Sequence, residues 1–107
     1  MPDSNKHKNR RRSVRVALMR EIEYAGSGVR THRRLTELGA NGVYIDTVAP
    51  LPEGTPLDLR FTLPDDHIVM AQGVVRYCQP GAGMGVEFTS ISDDDHERIQ
   101  HWIGRLA

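Results

Sequence analysis

The sequence has 107 residues, of which 38% are hydrophobic and 26% are charged, and its formal net charge is zero. This length accommodates one domain, whose core can bury about two-thirds of the surface that the unfolded chain exposes. No apolar run is long enough for a membrane span and no charged-apolar-small leader is present, which predicts a soluble, cytoplasmic protein. The lone cysteine, Cys78, cannot form an internal disulfide, in agreement with a reducing compartment.

Charge is distributed unevenly along the chain. Residues 1–15 contain six cations and one anion, whereas residues 16–107 contain eight cations and thirteen anions. A protein that binds a long polyanion is usually basic over a whole face. The uneven distribution therefore argues against extended nucleic-acid binding and favours a small anionic ligand near the N-terminus.

The densest cationic segment is Arg10-Arg11-Arg12-Ser13-Val14-Arg15. Residues 1–9, which precede it, are expected to form a disordered basic tail because they are almost entirely polar. Alternating apolar residues behind the arginines predict a first strand over Val14–Tyr24. An arginine-rich arm on a strand can fold back over a sheet and pair bidentately with phosphates or with guanine O6 and N7. A solvated tail or a generic anion-binding patch is the alternative for this segment alone.

Turn residues divide the middle of the chain into short strands. Ala25–Gly28 predicts a hairpin, and Val29–Leu38, which is polar on both faces, is predicted to be an edge strand. The break Leu38–Gly42 contains residues that tolerate left-handed backbone and glycines that permit close backbone approach. Further strands are predicted from apolar residues over Val43–Ile45, Leu57–Leu63, Ile68–Cys78 and Met84–Phe88.

The C-terminal segment changes its hydrophobic period. Ile99, Trp102, Ile103 and Leu106 are spaced i, i+3, i+4 and i+7, which predicts a helix. Ser92 is a suitable N-cap, and Asp95 could complete a capping box. Trp102 is expected to close one end of the sheet. Five to seven short strands and one terminal helix indicate a mainly β protein, either a small antiparallel barrel or a strongly curled sheet.

Groupings typical of an enzyme are not found in the sequence. The five histidines, which are His7, His32, His67, His96 and His101, lack metal-ligand spacing. No glycine-rich phosphate loop precedes a helix, because the one predicted helix is terminal and begins with aspartates. The sequence therefore predicts a binding module, not an enzyme, with no metal and no cofactor.

Three motifs in this order make the chain from Arg10 to Leu106 resemble a PilZ domain, the family of bacterial receptors for cyclic di-GMP. Arg11-Arg12-Ser13-Val14-Arg15 matches the family's Arg-x-x-x-Arg motif. Gly83-Met84-Gly85-Val86-Glu87-Phe88 matches a strand that precedes the C-terminal helix, and the run Leu51–Pro64 is similar to one in stand-alone members. The second family motif, Asp/Asn-x-Ser-x-x-Gly, is only partly matched by Glu37-Leu38-Gly39-Ala40-Asn41-Gly42, because Glu37 and Gly39 replace the usual residues.

The resemblance implies a small six-stranded antiparallel β-barrel with one C-terminal α-helix over residues 10–107. It also implies a cyclic di-GMP site in which arginines contact the phosphates and guanine, while Glu37 accepts hydrogen bonds from the guanine Watson–Crick edge. The ligand would bind as an intercalated dimer. The implied ligand-binding residues are Arg10, Arg11, Arg12, Arg15, Glu37, Gly39 and Gly42.

Three functional interpretations follow from these observations. In the first, the chain is a cyclic di-GMP receptor whose arginine-rich arm wraps the ligand and creates a surface for a downstream protein partner. In the second, it is a degenerate PilZ adaptor that no longer binds nucleotide and acts in motility or pilus assembly. In the third, the arm binds nucleic acid, which the charge distribution disfavours.

Overall fold

The computed structural model describes residues 14–26 and 28–107, which form a barrel with one helix packed against it. The strands close in the order β1-β2-β3-β6-β5-β4, and every neighbouring pair is antiparallel. The predicted six-stranded antiparallel barrel with a C-terminal helix is confirmed. The elements are β1 Arg15–Gly26, β2 Val29–Gly39, β3 Gly42–Asp46, β4 Pro56–Thr62, β5 Ile68–Gln79, β6 Gly83–Ser90 and α1 Asp93–Leu106.

Residues 1–13 and residue 27 lie outside the described part of the chain. The predicted disordered tail over residues 1–9 belongs to this part, as do Arg10, Arg11 and Arg12. These predictions are therefore not addressed by the structure.

The core lies inside the barrel and follows the alternation of the strands. In β4, Leu57, Leu59 and Phe61 point inward and are buried, while Asp58 and Arg60 point outward. The other strands add inward side chains with no exposed surface, including Leu35, Ile45, Val69, Val75 and Met84. Burial of one face of every strand thus determines which residues remain on the outside of the barrel.

Strand β2 is not an edge strand, so that prediction was wrong. It pairs with β1 on one side and, from Arg34 to Gly39, with β3 on the other. Because β1 also pairs with β4, the sheet closes. Arg30 and His32 point outward, where both contact the Glu23 carboxylate of β1. Arg33 pairs with the buried Ile22 but is itself exposed and donates to the Thr47 hydroxyl, so β2 is polar on both faces here.

Bulges change the alternation of two strands near the open end of the β1–β2 hairpin. In β2 the register shifts between Leu35 and Glu37, so that Glu37 points outward although Leu35 and Leu38 are both fully buried. In β5 the register shifts between Val75 and Tyr77, which leaves both Arg76 and Tyr77 on the outer surface. β-Bulges commonly redirect side chains in this way.

Helix α1 covers one end of the barrel. The Ser92 hydroxyl accepts a hydrogen bond from the Asp95 amide (3.1 Å), which confirms the predicted N-cap. The Asp95 carboxylate does not complete a capping box but lies 2.7 Å from His67 Nε2 and joins the helix to the β4–β5 turn. Ile99, and not Trp102, is the helix residue that is fully buried; Trp102 is partly buried beside it. No described helix is both long and apolar enough to cross a membrane.

We expect Ile99→Ala to lower the free energy of unfolding by about 2–5 kcal/mol, because it leaves a cavity between α1 and the barrel. Gln100→Ala, at an exposed position in the same turn, is the matched control and should change stability by less than about 0.5 kcal/mol. Urea denaturation of the two variants measures the difference. Equal stabilities would show that packing of α1 against the barrel contributes little.

Candidate functional site

The register of the β1–β2 hairpin brings two of the predicted ligand-binding segments together. Arg15, the first residue of β1, pairs with Gly39, the last residue of β2, and Ala17 pairs with Glu37. Arg15 of the first motif therefore lies beside Glu37 and Gly39 of the second. The chain reverses between Gly39 and Gly42 and continues into β3, so Gly42 lies at the same end of the hairpin.

The Arg15 guanidinium makes two contacts through the same nitrogen. Nη1 donates to the Tyr77 hydroxyl at 3.0 Å and to Glu37 Oε1 at 3.5 Å. About half of each charged side chain is exposed, 45% for Arg15 and 48% for Glu37. The hydrogen bond to Tyr77 raises the pKa of Arg15 above its ordinary value, and Glu37 adds to this effect while partial burial opposes it. Arg15 is therefore positioned as a permanent cation at the surface.

The Tyr77 ring packs on the outer surface of β6, where glycines leave room for it. Gly83 and Gly85 of β6 face away from the core, yet both are buried because the Tyr44 and Tyr77 rings cover them. The ring centroids of these tyrosines are 6.2 Å apart and their planes are inclined by 32°. A side chain at Gly85 would overlap the Tyr77 ring. The alternating glycines of the Gly-Met-Gly-Val-Glu-Phe strand thus seat two aromatic rings on the outside of the barrel.

Burial also acts on the second tyrosine of this pair. It raises the pKa of the Tyr44 hydroxyl above its ordinary value, and Tyr77, Asp46 and Glu37 add to the rise. The Tyr44 hydroxyl contacts Gln79, not Arg15. Both rings therefore pack over a glycine of β6, but the Tyr44 hydroxyl contacts Gln79 whereas the Tyr77 hydroxyl contacts Arg15.

An open cavity of 230 Å³ lies next to Arg15. The hairpin segment 39–42 forms one side of it and Gly85, Val86 and Glu87 of β6 form another. Tyr77 and Arg76 complete the lining, and Arg76 forms an ion pair with Glu87. Two arginines and one glutamate give the lining a formal charge of +1, and the carboxylate of Glu37 lies beside it in contact with Arg15.

Gly39 and Gly42, which flank the β2–β3 turn, are needed because other atoms lie close to them, and not because the backbone is left-handed. Neither Gly39 nor Gly42 has a positive φ, in contrast to Gly28 in the β1–β2 turn (φ 80°). A side chain at Gly42 would overlap the Val86 carbonyl oxygen of β6, and a Cβ at Gly39 would lie 3.3 Å from Arg15 Cγ. Gly42 therefore permits the β3–β6 pairing, and Gly39 makes room for the stem of Arg15.

The structure thus brings together four of the predicted ligand-binding residues, which are Arg15, Glu37, Gly39 and Gly42. Arg10, Arg11 and Arg12 lie outside the described residues. Sequence reasoning missed Tyr77, Arg76 and Asn41, which also line the cavity. The outward glycines of β6 were the one available signal, because a glycine inside a strand often marks the close approach of another group.

One cluster of metal-type ligands occurs among the described residues, on α1 and the β4–β5 turn. The ligand atoms of His67, Asp94 and Asp95 lie within 4.8 Å of one another. The hydrogen bond between His67 and Asp95 accounts for this proximity. The cluster shares no residue with the cavity beside Arg15.

Comparison with known proteins places this fold among characterised structures. Residues 9–105 match the family model described as PilZ domain. The PilZ domain of YcgR from Escherichia coli, solved with c-di-GMP, matches with a TM-score of 0.74 and 15% identity over 91% of each chain. A comparison with curated protein sequences finds no match.

Two longer chains share the same fold. MotI/DgrA of Bacillus subtilis, an inhibitor of motility, matches with a TM-score of 0.77 and 17% identity, covering 87% of this chain and 49% of that one. PlzA of Borreliella burgdorferi, solved in complex with c-di-GMP, matches with a TM-score of 0.66 and 14% identity, covering 95% of this chain and 44% of that one. This chain therefore spans less than half of each of these two structures.

We expect Gly42→Ala to lower the free energy of unfolding by about 1–3 kcal/mol, because the new methyl group forces β3 away from the Val86 carbonyl. Gly104→Ala is the matched control, since nothing lies within 4 Å of its added Cβ, and alanine favours the helix. Thermal or urea denaturation measures both changes. A Gly42→Ala variant as stable as the wild type would contradict the close approach.

Proposed function

Because the chain belongs to the PilZ domain family, we propose that it is a receptor for cyclic di-GMP. The ligand would bind outside the barrel, between the N-terminal arginines and the β2–β3 hairpin. One observation carries the proposal: Arg15 and Glu37 lie side by side next to a cavity whose lining includes a second arginine and three glycines. The structures of YcgR and PlzA with c-di-GMP support it, because their fold is shared by this chain.

The free edge of Arg15 has suitable chemistry for this ligand. Both of its contacts use Nη1, so Nε and Nη2 have no acceptor within residues 14–26 and 28–107. These two nitrogens form a flat edge that can donate to two phosphate oxygens, or to O6 and N7 of guanine. A good bidentate pair with guanine contributes roughly 1–3 kcal/mol of discrimination.

Glu37 offers the complementary chemistry. Its Oε1 faces Arg15, while Oε2 has no donor among the described residues. A carboxylate oxygen can accept hydrogen bonds from the Watson–Crick donors of guanine. The adjacent arginine and glutamate could therefore contact phosphate and base together.

The remaining arginines extend the proposed site. Arg10, Arg11 and Arg12 precede β1 by three to five residues, and Arg15, the first residue of β1, lines the cavity. We propose that they fold over the bound ligand, whose phosphates offset the repulsion between like charges. An arm ordered in this way would form a new surface for a protein partner. In this scheme the protein is a cytoplasmic signalling module and not an enzyme.

We expect titration calorimetry to detect binding of cyclic di-GMP and not of GTP. Arg15→Ala should weaken binding by roughly tenfold or more, because a bidentate arginine contact is lost, and Arg11→Ala should also weaken it. Arg105→Ala, at the end of α1, is the matched control and should bind as the wild type does. Wild-type affinity in the Arg11→Ala/Arg15→Ala double variant would contradict the assignment. Binding of any DNA duplex with a steep salt dependence would instead support nucleic-acid binding.

The second candidate function is an adaptor that does not bind nucleotide. Two observations favour it: Glu37 already pairs with Arg15, and Gly39 stands where the family motif has serine. MotI, whose fold this chain shares, is described as an inhibitor of motility, which agrees with the motility part of this candidate function. The two candidates therefore differ in whether Glu37 and Gly39 still support binding.

We expect a Glu37→Asp/Gly39→Ser variant to distinguish the two candidates. A receptor should gain affinity only modestly, up to about tenfold, because the serine hydroxyl adds one hydrogen bond. The new side chain also presses against the Arg15 stem, which limits the gain. An adaptor should change from no measurable binding to clear binding. Calorimetry of wild type and variant under identical salt conditions gives the answer.

A further inference from the structure

We propose that Tyr77 is a positioning residue for Arg15, whose hydroxyl anchors Nη1 so that the Nε/Nη2 edge is presented to the ligand. The inference about the ligand rests on the proposed function. The anchoring of Arg15 is a property of the protein alone, so it can be tested without any ligand.

The hydrogen bond to Tyr77 is the better of the two contacts that hold Arg15. Its length is 3.0 Å, within the usual range for an N–H donor, whereas the contact with Glu37 is 3.5 Å long and joins two half-exposed side chains. Arginine is long and flexible, and holding it in one conformation before binding reduces the entropy lost when the ligand arrives. Tyr77 therefore supplies the more specific constraint on Arg15.

Tyr77 can act as a fixed anchor because its own ring is held. The bulge at Arg76 turns Tyr77 outward, and the ring then lies directly over Gly85 with Tyr44 beside it. Tyr77 belongs to β5 and Arg15 to β1, and these strands are not neighbours in the barrel. The contact thus links the start of β1 to β5 across the outer surface of β2, β3 and β6.

The neighbouring tyrosine provides an internal comparison. Tyr44 lies over Gly83 as Tyr77 lies over Gly85, but its hydroxyl contacts Gln79. Tyr44→Phe therefore removes a tyrosine hydroxyl from the same surface while keeping the ring and both contacts of Arg15. Removing the hydroxyl of Tyr77 tests the anchor itself.

The binding experiment uses Tyr77→Phe, with Tyr44→Phe as the matched control. We expect Tyr77→Phe to weaken cyclic di-GMP binding by roughly three- to tenfold, as for the loss of one hydrogen bond, and Tyr44→Phe to stay within about twofold of the wild type. Combined with Arg15→Ala, Tyr77→Phe should cause no further loss, because its effect passes through Arg15. Equal affinity of Tyr77→Phe and wild type would overturn the inference.

A second variant disturbs the anchor from the opposite side. In Gly85→Ala the three atoms nearest to the added methyl group all belong to the ring and hydroxyl of Tyr77, so we expect the ring to be displaced. We expect this variant to reproduce the affinity loss of Tyr77→Phe, and the two changes together to cost no more than one alone. If the affinity losses of Gly85→Ala and Tyr77→Phe simply added in the double variant, the position of the Tyr77 ring over Gly85 would not be what holds Arg15. That result would overturn this part of the inference.

A measurement on the ligand-free protein separates this inference from the proposed function. The nitrogen-15 NMR signals of the Arg15 guanidinium should show faster rotation of its Nη groups in Tyr77→Phe than in the wild type or in Tyr44→Phe. Unchanged signals in Tyr77→Phe would overturn the anchoring. Changed signals in a protein that fails to bind cyclic di-GMP would support the anchoring and overturn the proposed function.

Discussion

The pairing of Arg15 with Gly39 at the open end of the β1–β2 hairpin is the contact on which the candidate site depends. It fixes the cationic start of β1 beside the carboxylate of Glu37. Because side chains alternate along a strand, a slip by one residue would turn one of these groups into the barrel. The buried positions of Val16 and Leu38, which pair with each other, oppose such a slip.

Two glycines, Gly42 at the start of β3 and Gly85 in β6, leave space for the groups that pack near Arg15 and Glu37. Gly42 lets β3 lie against β6, and Gly85 leaves the space that the Tyr77 ring occupies. The same strand sends Met84 and Val86 into the core. One strand therefore has two functions: its inward face stabilises the barrel, and its outward face carries the aromatic support of Arg15.

The ion pair between Arg15 and Glu37 is weak enough for Arg15 to exchange its partner. An ion pair between half-exposed groups, such as Arg15 and Glu37, contributes about 1 kcal/mol or less. In the proposed receptor, phosphate oxygens would therefore replace or share this partner at little cost, and charge-assisted hydrogen bonds would compensate for the loss. In an adaptor that does not bind nucleotide, the same pair would satisfy Arg15 permanently.

The sequence by itself determined the elements of this protein, because the alternation in β4 and the 3.6-residue period of α1 are local consequences of burial. It also indicated that Arg15, Glu37, Gly39 and Gly42 belong together, through the resemblance of two short motifs. Tyr77 and the interior position of β2 were decided only by the tertiary structure. Strict alternation along β5 would turn Tyr77 inward, and the bulge at Arg76 turns it outward instead. Pairing with both β1 and β3 places β2 inside the sheet, which corrects the prediction of an edge strand. Both features depend on which strands pair and in what register, which the alternation of residues within a single strand does not encode.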